Sequence, residues 1–238
     1  MICCDPIVTP RKYLGQELIE NIGFDGLCNV FFNEVYLNYF ENSKLKLELC
    51  VNSIKIFSFH KKKNIYIAII RNGAALSSVD FECLIYLGFK EYIFYGYACS
   101  IDDRSDIGDL LLINKTFVGE GVSQYYGNHR KYTCTSESLN LKIMNKISGE
   151  HGIRYANCYT TEALFMETIS FINKLKSLGI NCIDMECSAL SSIALLRNVR
   201  VAFVFCVSDA IKDDEWMYRN DVNLRELLVH TLFSLNVK

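Results

Sequence analysis

Proline is nearly missing from this chain: among 238 residues there are only two, Pro6 and Pro10. There is no Ser/Gly-rich stretch, no internal repeat and no low-complexity tract, so nothing reads as a linker. A single domain over residues 1–238 is the expectation. An excess of positive charge is also lacking. Lys and Arg number 25 against 27 Asp and Glu, for a net charge of −2 and a pI near 6.1. That balance leaves no electrostatic footprint for nucleic acid, and the one basic run, Lys61 to Lys63, reads as a solvated turn. Eleven cysteines are present without a single CxxC pair, and the four histidines are scattered, so zinc-ligand spacing is absent and no metal is expected. Cys83, Cys182 and Cys206 lie in apolar stretches, where cysteine acts as a small hydrophobe and a reducing cytoplasm fits. No uninterrupted apolar run approaches the roughly 20 residues of a membrane span. The first eleven residues lack an apolar stretch of signal-peptide length, so the expectation is a cytoplasmic protein with no membrane partner. No GxGxxG follows a candidate strand, which discounts a nicotinamide dehydrogenase.

What is present is core material: half of the residues are apolar and 22% are charged. Short apolar, β-branched and aromatic runs predict strands at Asn29–Phe32, Ile54–Phe59, Asn64–Ile70, Tyr92–Tyr95, Leu110–Ile113, Cys182–Met185 and Val201–Val207. Several are apolar throughout, as in strands covered on both faces. Helical spacing predicts a helix over Ser77–Leu87 ending at Gly88, and another over Glu162–Leu178 ending at Gly179. A largely buried helix is predicted over Glu186–Leu196, and a last one from Asp221 with Leu224, Leu227, Leu228 and Leu232. The alternation implies an α/β fold: a central mixed, largely parallel sheet with helices on both faces. Ligands in such folds collect beyond the carboxyl ends of the strands, here after Phe32, Ile70, Tyr95 and Val207.

The strongest chemical signal is a pair of acids. Ile183-Asp184-Met185-Glu186 and Val207-Ser208-Asp209 each bring a carboxylate directly after an apolar strand, where burial is costly without a partner. Twenty-three positions separate Glu186 from Asp209, the length of a helix and a strand, which predicts that both emerge at one sheet edge. A single acid in such a place is ordinarily a helix cap or a turn residue; two at matching positions read as a site.

These residues and their spacing resemble the nucleoside phosphorylase/nucleosidase superfamily, which includes purine nucleoside and uridine phosphorylases. Further segments agree with it in order: Gly73 to Gly88 as a small-residue turn and helix, Tyr92-Ile93-Phe94-Tyr95-Gly96 as the next strand, and Ile107 to Ile113 as a "GD plus apolar strand" element. Glu120 to Tyr126 is similar to the "EG(T/V)SxxY" loop and Tyr159 to Thr168 to "TTDxxxRET". The resemblance implies cleavage of a nucleoside's N-glycosidic bond. Asp209, oriented by Ser208, would protonate the departing base, and an apolar neighbourhood suits a carboxylic acid that keeps its proton. Glu186 would accept hydrogen bonds from the ribose 2′- and 3′-hydroxyls and support the sugar's developing positive charge. Met185 would pack against the sugar, and Leu164 and Phe165 against the base. The Gln-x-Arg pair that reads uracil is not apparent, which favours purine. Relatives are oligomers, so a homo-oligomer is implied; no organic cofactor is.

The chain departs from the family's anion-binding kit. The "PGDPxR" turn is not evident in Phe31-Phe32-Asn33-Glu34. Phe94 stands in place of an arginine and Met166 in place of the "RET" arginine, while Tyr97 takes the place of the family's hydroxyl residue and is a substrate-binding candidate by the resemblance. Lys62 and Gly73 are the remaining candidates for inorganic phosphate as co-substrate. Losing several anion-binding groups weakens the case for phosphate. Nucleosidases of the superfamily instead place a glutamate after the first strand to activate water, and Glu34 occupies that place. Phosphorolysis and hydrolysis both stay open, and a non-catalytic nucleoside-binding relative is the reading from another class.

Overall fold

In the computed structural model, residues 6–15, 23–40, 45–59, 64–147, 152–219 and 223–236 are described. Helix α1 (Pro10–Leu14) precedes β1 (Leu27–Phe31), a 3₁₀ segment (Glu34–Phe40), and the strands β2 (Leu45–Val51), β3 (Ile54–Phe59) and β4 (Ile65–Ile69). Then come α2 (Ala74–Tyr86), β5 (Glu91–Ser100), β6 (Leu110–Gly119), α3 (Val122–Tyr125), β7 (Tyr132–Cys134) and α4 (Glu137–Ile147). The second half holds β8 (Ile153–Thr161), a 3₁₀ turn (Leu164–Met166), α5 (Ile169–Ser177), β9 (Cys182–Asp184), α6 (Cys187–Arg197), β10 (Arg200–Lys212), β11 (Glu215–Tyr218) and α7 (Leu224–Asn236).

All eleven strands join one sheet, in the order β11-β10-β6-β8-β9-β5-β1-β4-β3-β2, with β7 added on β6. A further pairing of β10 with β5 closes β5, β9, β8, β6 and β10 into a five-stranded ring. The sheet is mixed, as expected, but not largely parallel. Parallel pairing holds for β1–β4, β1–β5, β5–β10, β6–β8 and β8–β9, while the six other pairings are antiparallel. The excess of antiparallel pairs comes from hairpin neighbours such as β2–β3, whose tight turn carries Asn52 at φ 51°, and from short flanking strands.

Helices cover both faces, as predicted. On one face Phe81 and Leu84 of α2 and Leu190 and Ile193 of α6 meet Phe94, Phe203 and Phe205. On the other, Ile143 of α4 and Leu228 and Leu232 of α7 meet Tyr95, Val204 and Leu112, with Tyr36 and Phe40 of the 3₁₀ segment. A third cluster packs α5, through Ile172 and Leu175, against Ile101 and Ile183. Full burial of so many aromatic and branched side chains is the main stabilising term of the fold.

Some boundaries move. Strands β5, β6 and β10 run well past their predicted ends, so Tyr95 and Val207 are mid-strand positions rather than places where loops begin. The predicted Glu162–Leu178 helix begins only at Ile169, because Thr168 caps it by accepting from the Phe171 N–H and the preceding residues turn as 3₁₀. In α2, Val79 is exposed and Phe81 is buried. The expected stop at Gly88 holds, at φ 112°. Asp221, expected to cap the last helix, lies outside the described residues; Asn223 accepts from the Glu226 N–H at 3.3 Å. No helix among the described residues is long and apolar enough to cross a membrane.

Candidate active site

Asp209 sits inside β10, just past a bulge between Val207 and Asp209. Before the bulge Val207 pairs with Ala98 and both face the α2/α6 layer; after it Asp209 pairs with Cys99, which points the other way. Cys99 in turn pairs with Ile183 of β9 on its far side. Asp209 and Ile183 therefore flank one residue of β5, about 10 Å apart by the usual strand spacing. Glu186 follows Ile183 by three residues. Register thus sets Asp209 level with Ile183, three residues ahead of Glu186, on strands running in opposite senses, and the two acids do not emerge from matching strand ends.

Glu186 is the N-terminal boundary of α6, and its Oε1 accepts from the Gly73 N–H at 2.5 Å. Gly73 lies at the N-terminus of α2 with φ 84°, a left-handed backbone that aims its amide at the carboxylate. Behind Glu186, Asp184 is buried and fully engaged. Its Oδ2 accepts from the Glu186 and Cys187 N–H groups at 3.0 and 2.6 Å, and its Oδ1 from the Thr160 hydroxyl at 2.6 Å. The Thr160 oxygen accepts from the Ser188 N–H, and the Ser188 hydroxyl donates to Glu120. Burial raises the proton affinity of both Asp184 and Glu186, and the Asp184 charge adds to the effect on Glu186. Asp184 has three donors and Glu186 chiefly one, so the repulsion between them falls on Glu186.

Asp209 is held differently. Ser208 Oγ donates to its Oδ1 at 2.5 Å, and Trp216 Nε1 donates to its Oδ2 at 2.8 Å. Trp216 is 64% exposed and lies on β11, a strand whose four residues all face solvent. Glu167, between the 3₁₀ turn and α5, was not singled out by the sequence. Its Oε1 is buried without a hydrogen-bond partner. Burial and the nearby Asp209 charge push its carboxyl up to about 7. Its only sequence signal is the "RET"-like Met166-Glu167-Thr168.

The other candidates divide. Met185 is exposed beside Glu186. Leu164 is half exposed and Phe165 98% exposed, both on the 3₁₀ turn ahead of α5. Tyr97 is partly buried against Tyr36, their ring centroids 6.2 Å apart, within reach of the Arg225 charge. Phe94 is completely buried, stacked on Phe203. Arg71 is committed to the buried Asp80 through two side-chain hydrogen bonds. Glu34 begins the 3₁₀ segment after β1, where its mostly exposed side chain pairs with Lys55 at 2.8 Å. Lys62 lies outside the described residues.

Cys158, Asp184 and Cys187 bring ligand atoms within 4.8 Å of one another beneath Glu186. The Asp184 oxygens are already occupied by three donors, and burial pushes both thiols far up, away from the thiolate a metal needs. This cluster reads as core packing.

Known proteins share this architecture. The AMP nucleosidase from Bacteroides thetaiotaomicron superposes with a TM-score of 0.75 at 18% identity, over 94% of this chain and 91% of that one. The purine nucleoside phosphorylase from Toxoplasma gondii, solved with immucillin-H, superposes with a TM-score of 0.77 at 15% identity, over 90% of each chain. A family model of the phosphorylase superfamily matches residues 50–234, which span β3 to α7 and include Glu186, Ser208 and Asp209. The chain belongs to the phosphorylase superfamily.

Proposed function

We propose that this protein cleaves the N-glycosidic bond of a nucleoside, with Asp209 facing the departing base and Glu186 the ribose. One observation carries the reading: a half-buried Asp209 with two donors on its oxygens stands level, across Cys99, with the segment that leads into Glu186. As the C1′–N bond stretches, the base gains negative charge and the sugar positive charge. A proton delivered at Asp209 meets the first, and the Glu186 carboxylate, hydrogen-bonded by the 2′- and 3′-hydroxyls, meets the second. Those hydroxyl donors add to the Gly73 amide and favour the charged form of Glu186. Met185 lies against the sugar, and Leu164 and Phe165 close on the base.

A purine as leaving base is supported by the missing uracil-reading pair and by two structural neighbours named for AMP and for purine nucleosides. Water is the favoured nucleophile over phosphate. Phe94 fills an aromatic stack where an arginine would stand, Arg71 is consumed by Asp80, and Glu186 already occupies the Gly73 amide. Glu34 is the base proposed to activate that water, once released from Lys55. A homo-oligomer belongs to the same reading, and light scattering of the purified protein measures it.

The test is incubation with a panel of nucleosides, with and without inorganic phosphate, and chromatography of the products. Free base plus ribose in phosphate-free buffer is the expected result. Ribose 1-phosphate formed only with phosphate present makes the enzyme a phosphorylase. Binding without turnover makes it a nucleoside-binding relative and removes the catalytic reading.

A further inference from the structure

Both oxygens of Asp209 are engaged within the chain, one by Ser208 Oγ at 2.5 Å and the other by Trp216 Nε1 at 2.8 Å. The two donors are held very differently. Ser208 is the partly buried neighbour of Asp209 in β10. Trp216 stands on the edge strand β11 and is 64% exposed. The hairpin that carries it is well fixed. Asp213 and Asp214 take left-handed φ values of 50° and 64° in a two-residue turn, and the pairs from Asp209–Tyr218 to Lys212–Glu215 set its register. The indole is therefore the part that moves at little cost while the backbone stays. Trp216 and Tyr218 lie two positions apart, on one face of β11, with their rings stacked at 5.2 Å and 19°. What this face presents to Asp209 is a flat fused bicycle with a ring N–H. A purine base is also a flat fused bicycle edged with ring nitrogens, and no other side chain comes as close to that shape.

Resting on the glycosidic reading above, we propose that Trp216 is a competitor built into the chain. Its indole holds the Asp209 oxygen that the leaving base must reach, and substrate binding exchanges one ring for the other. Trp216 acts through Asp209, so it is a positioning residue. The exchange lowers apparent affinity, because only the fraction of molecules with the indole turned away is competent to bind. A base that brings its own hydrogen-bond partner to Oδ2 restores the lost bond. A flat ligand without one leaves a half-buried carboxylate oxygen short of a donor, and the indole returns. The contact thus sets a threshold for entry that the right base meets. Its removal has an unusual sign: deleting the indole N–H strengthens binding.

The experiment measures calorimetric affinity for adenine, hypoxanthine and guanine, and kcat and KM for the purine nucleoside that wild type cleaves fastest. It compares wild type, Trp216→Phe and Asp209→Asn, with thermal melts as a folding control. Trp216→Phe keeps an aromatic ring against Tyr218 and deletes the N–H. It is expected to bind the preferred base at least about threefold more tightly and to lower KM by a similar factor, with kcat within about threefold and the melt unchanged. A tryptophan that only supports the hairpin, or only stacks on the substrate, gives no change or the opposite sign. Trp216 is the single tryptophan of the chain, so its emission reports this contact alone and is expected to change saturably with the same base. Less than threefold tightening in Trp216→Phe, or wild-type emission indifferent to saturating base, overturns the built-in competitor while leaving Asp209 in place. Asp209→Asn activity equal to wild type, or no cleavage by wild type at all, instead removes the glycosidic reading and this inference with it.

Discussion

The Glu186 end and the Asp209 end of the candidate site are built to different standards. Around Glu186 every support is internal: Asp184, Thr160, Ser188 and Glu120 form a buried chain of hydrogen bonds that fixes the start of α6. Around Asp209 the support is a hairpin whose outer strand is wholly exposed and which reaches the acid through one indole bond. A buried, fully paired network resists motion because each lost bond strands another group. An exposed tryptophan bond gives way at little cost. On the proposed reading, the difference teaches that the sugar would be received by a rigid seat and the base by a compliant flap.

Substitutions can break that contrast. The largest effect is expected at Asp209: Asp209→Asn lowers kcat by about two to four orders of magnitude with an unchanged melting curve, since general acid catalysis is typically worth that much. Stopped assays beside a thermal melt read both halves. Next comes the rigid seat. Asp184→Ala strands the Thr160 hydroxyl and two backbone N–H groups, a loss of about 3 kcal/mol, visible as a melting point lower by roughly 10 °C for a chain of this size. If that variant melts like wild type, the seat is not the rigid element. At the flap, Trp216→Phe removes one donor to Asp209 and is expected to change kcat by less than about tenfold, with no change in stability, because an exposed hydrogen bond contributes little. A melting loss comparable to that of Asp184→Ala would erase the contrast.

The smallest effect is on stability against pH. Glu186 and Glu167 both hold protons more tightly folded than unfolded. Their contribution is complete below the ordinary glutamate range and is lost as pH rises through about 7. The melting point is thus expected to fall between pH 5 and 8, and to fall less in Glu167→Gln. Asp102, held down to about 2 by Arg104, acts at much lower pH and does not enter that window.

Much of this was legible beforehand. Alternation of apolar runs with helical spacing gave the α/β architecture, and two acids after apolar strands pointed to the two ends of the candidate site. What escaped was set by pairing rather than by composition. Leu45–Val51 alternates Lys46 and Glu48 with apolar residues at an exposed edge and lacks the density of a buried strand. Ile153–Thr161 carries Arg154, Asn157 and two threonines, yet pairs on both sides inside the ring. Closure of that ring depends on β10 meeting both β5 and β6, a long-range choice that no local pattern announces. Glu167 was passed over for the same reason: its significance lies in Asp209, forty-two positions away in the chain.

The bulge beside Asp209 has an engineering consequence. Strand positions keep strict parity, so the irregularity acts as a one-residue phase shift between a hydrophobic run and a functional tail. Side-chain replacements at Ser208 leave that phase alone, whereas removing one residue would drive a carboxylate into the aromatic interior and turn the hairpin inside out. Insertions and deletions here are therefore far less forgiving than point changes, and length, rather than identity, is the quantity that a redesign of this segment must preserve.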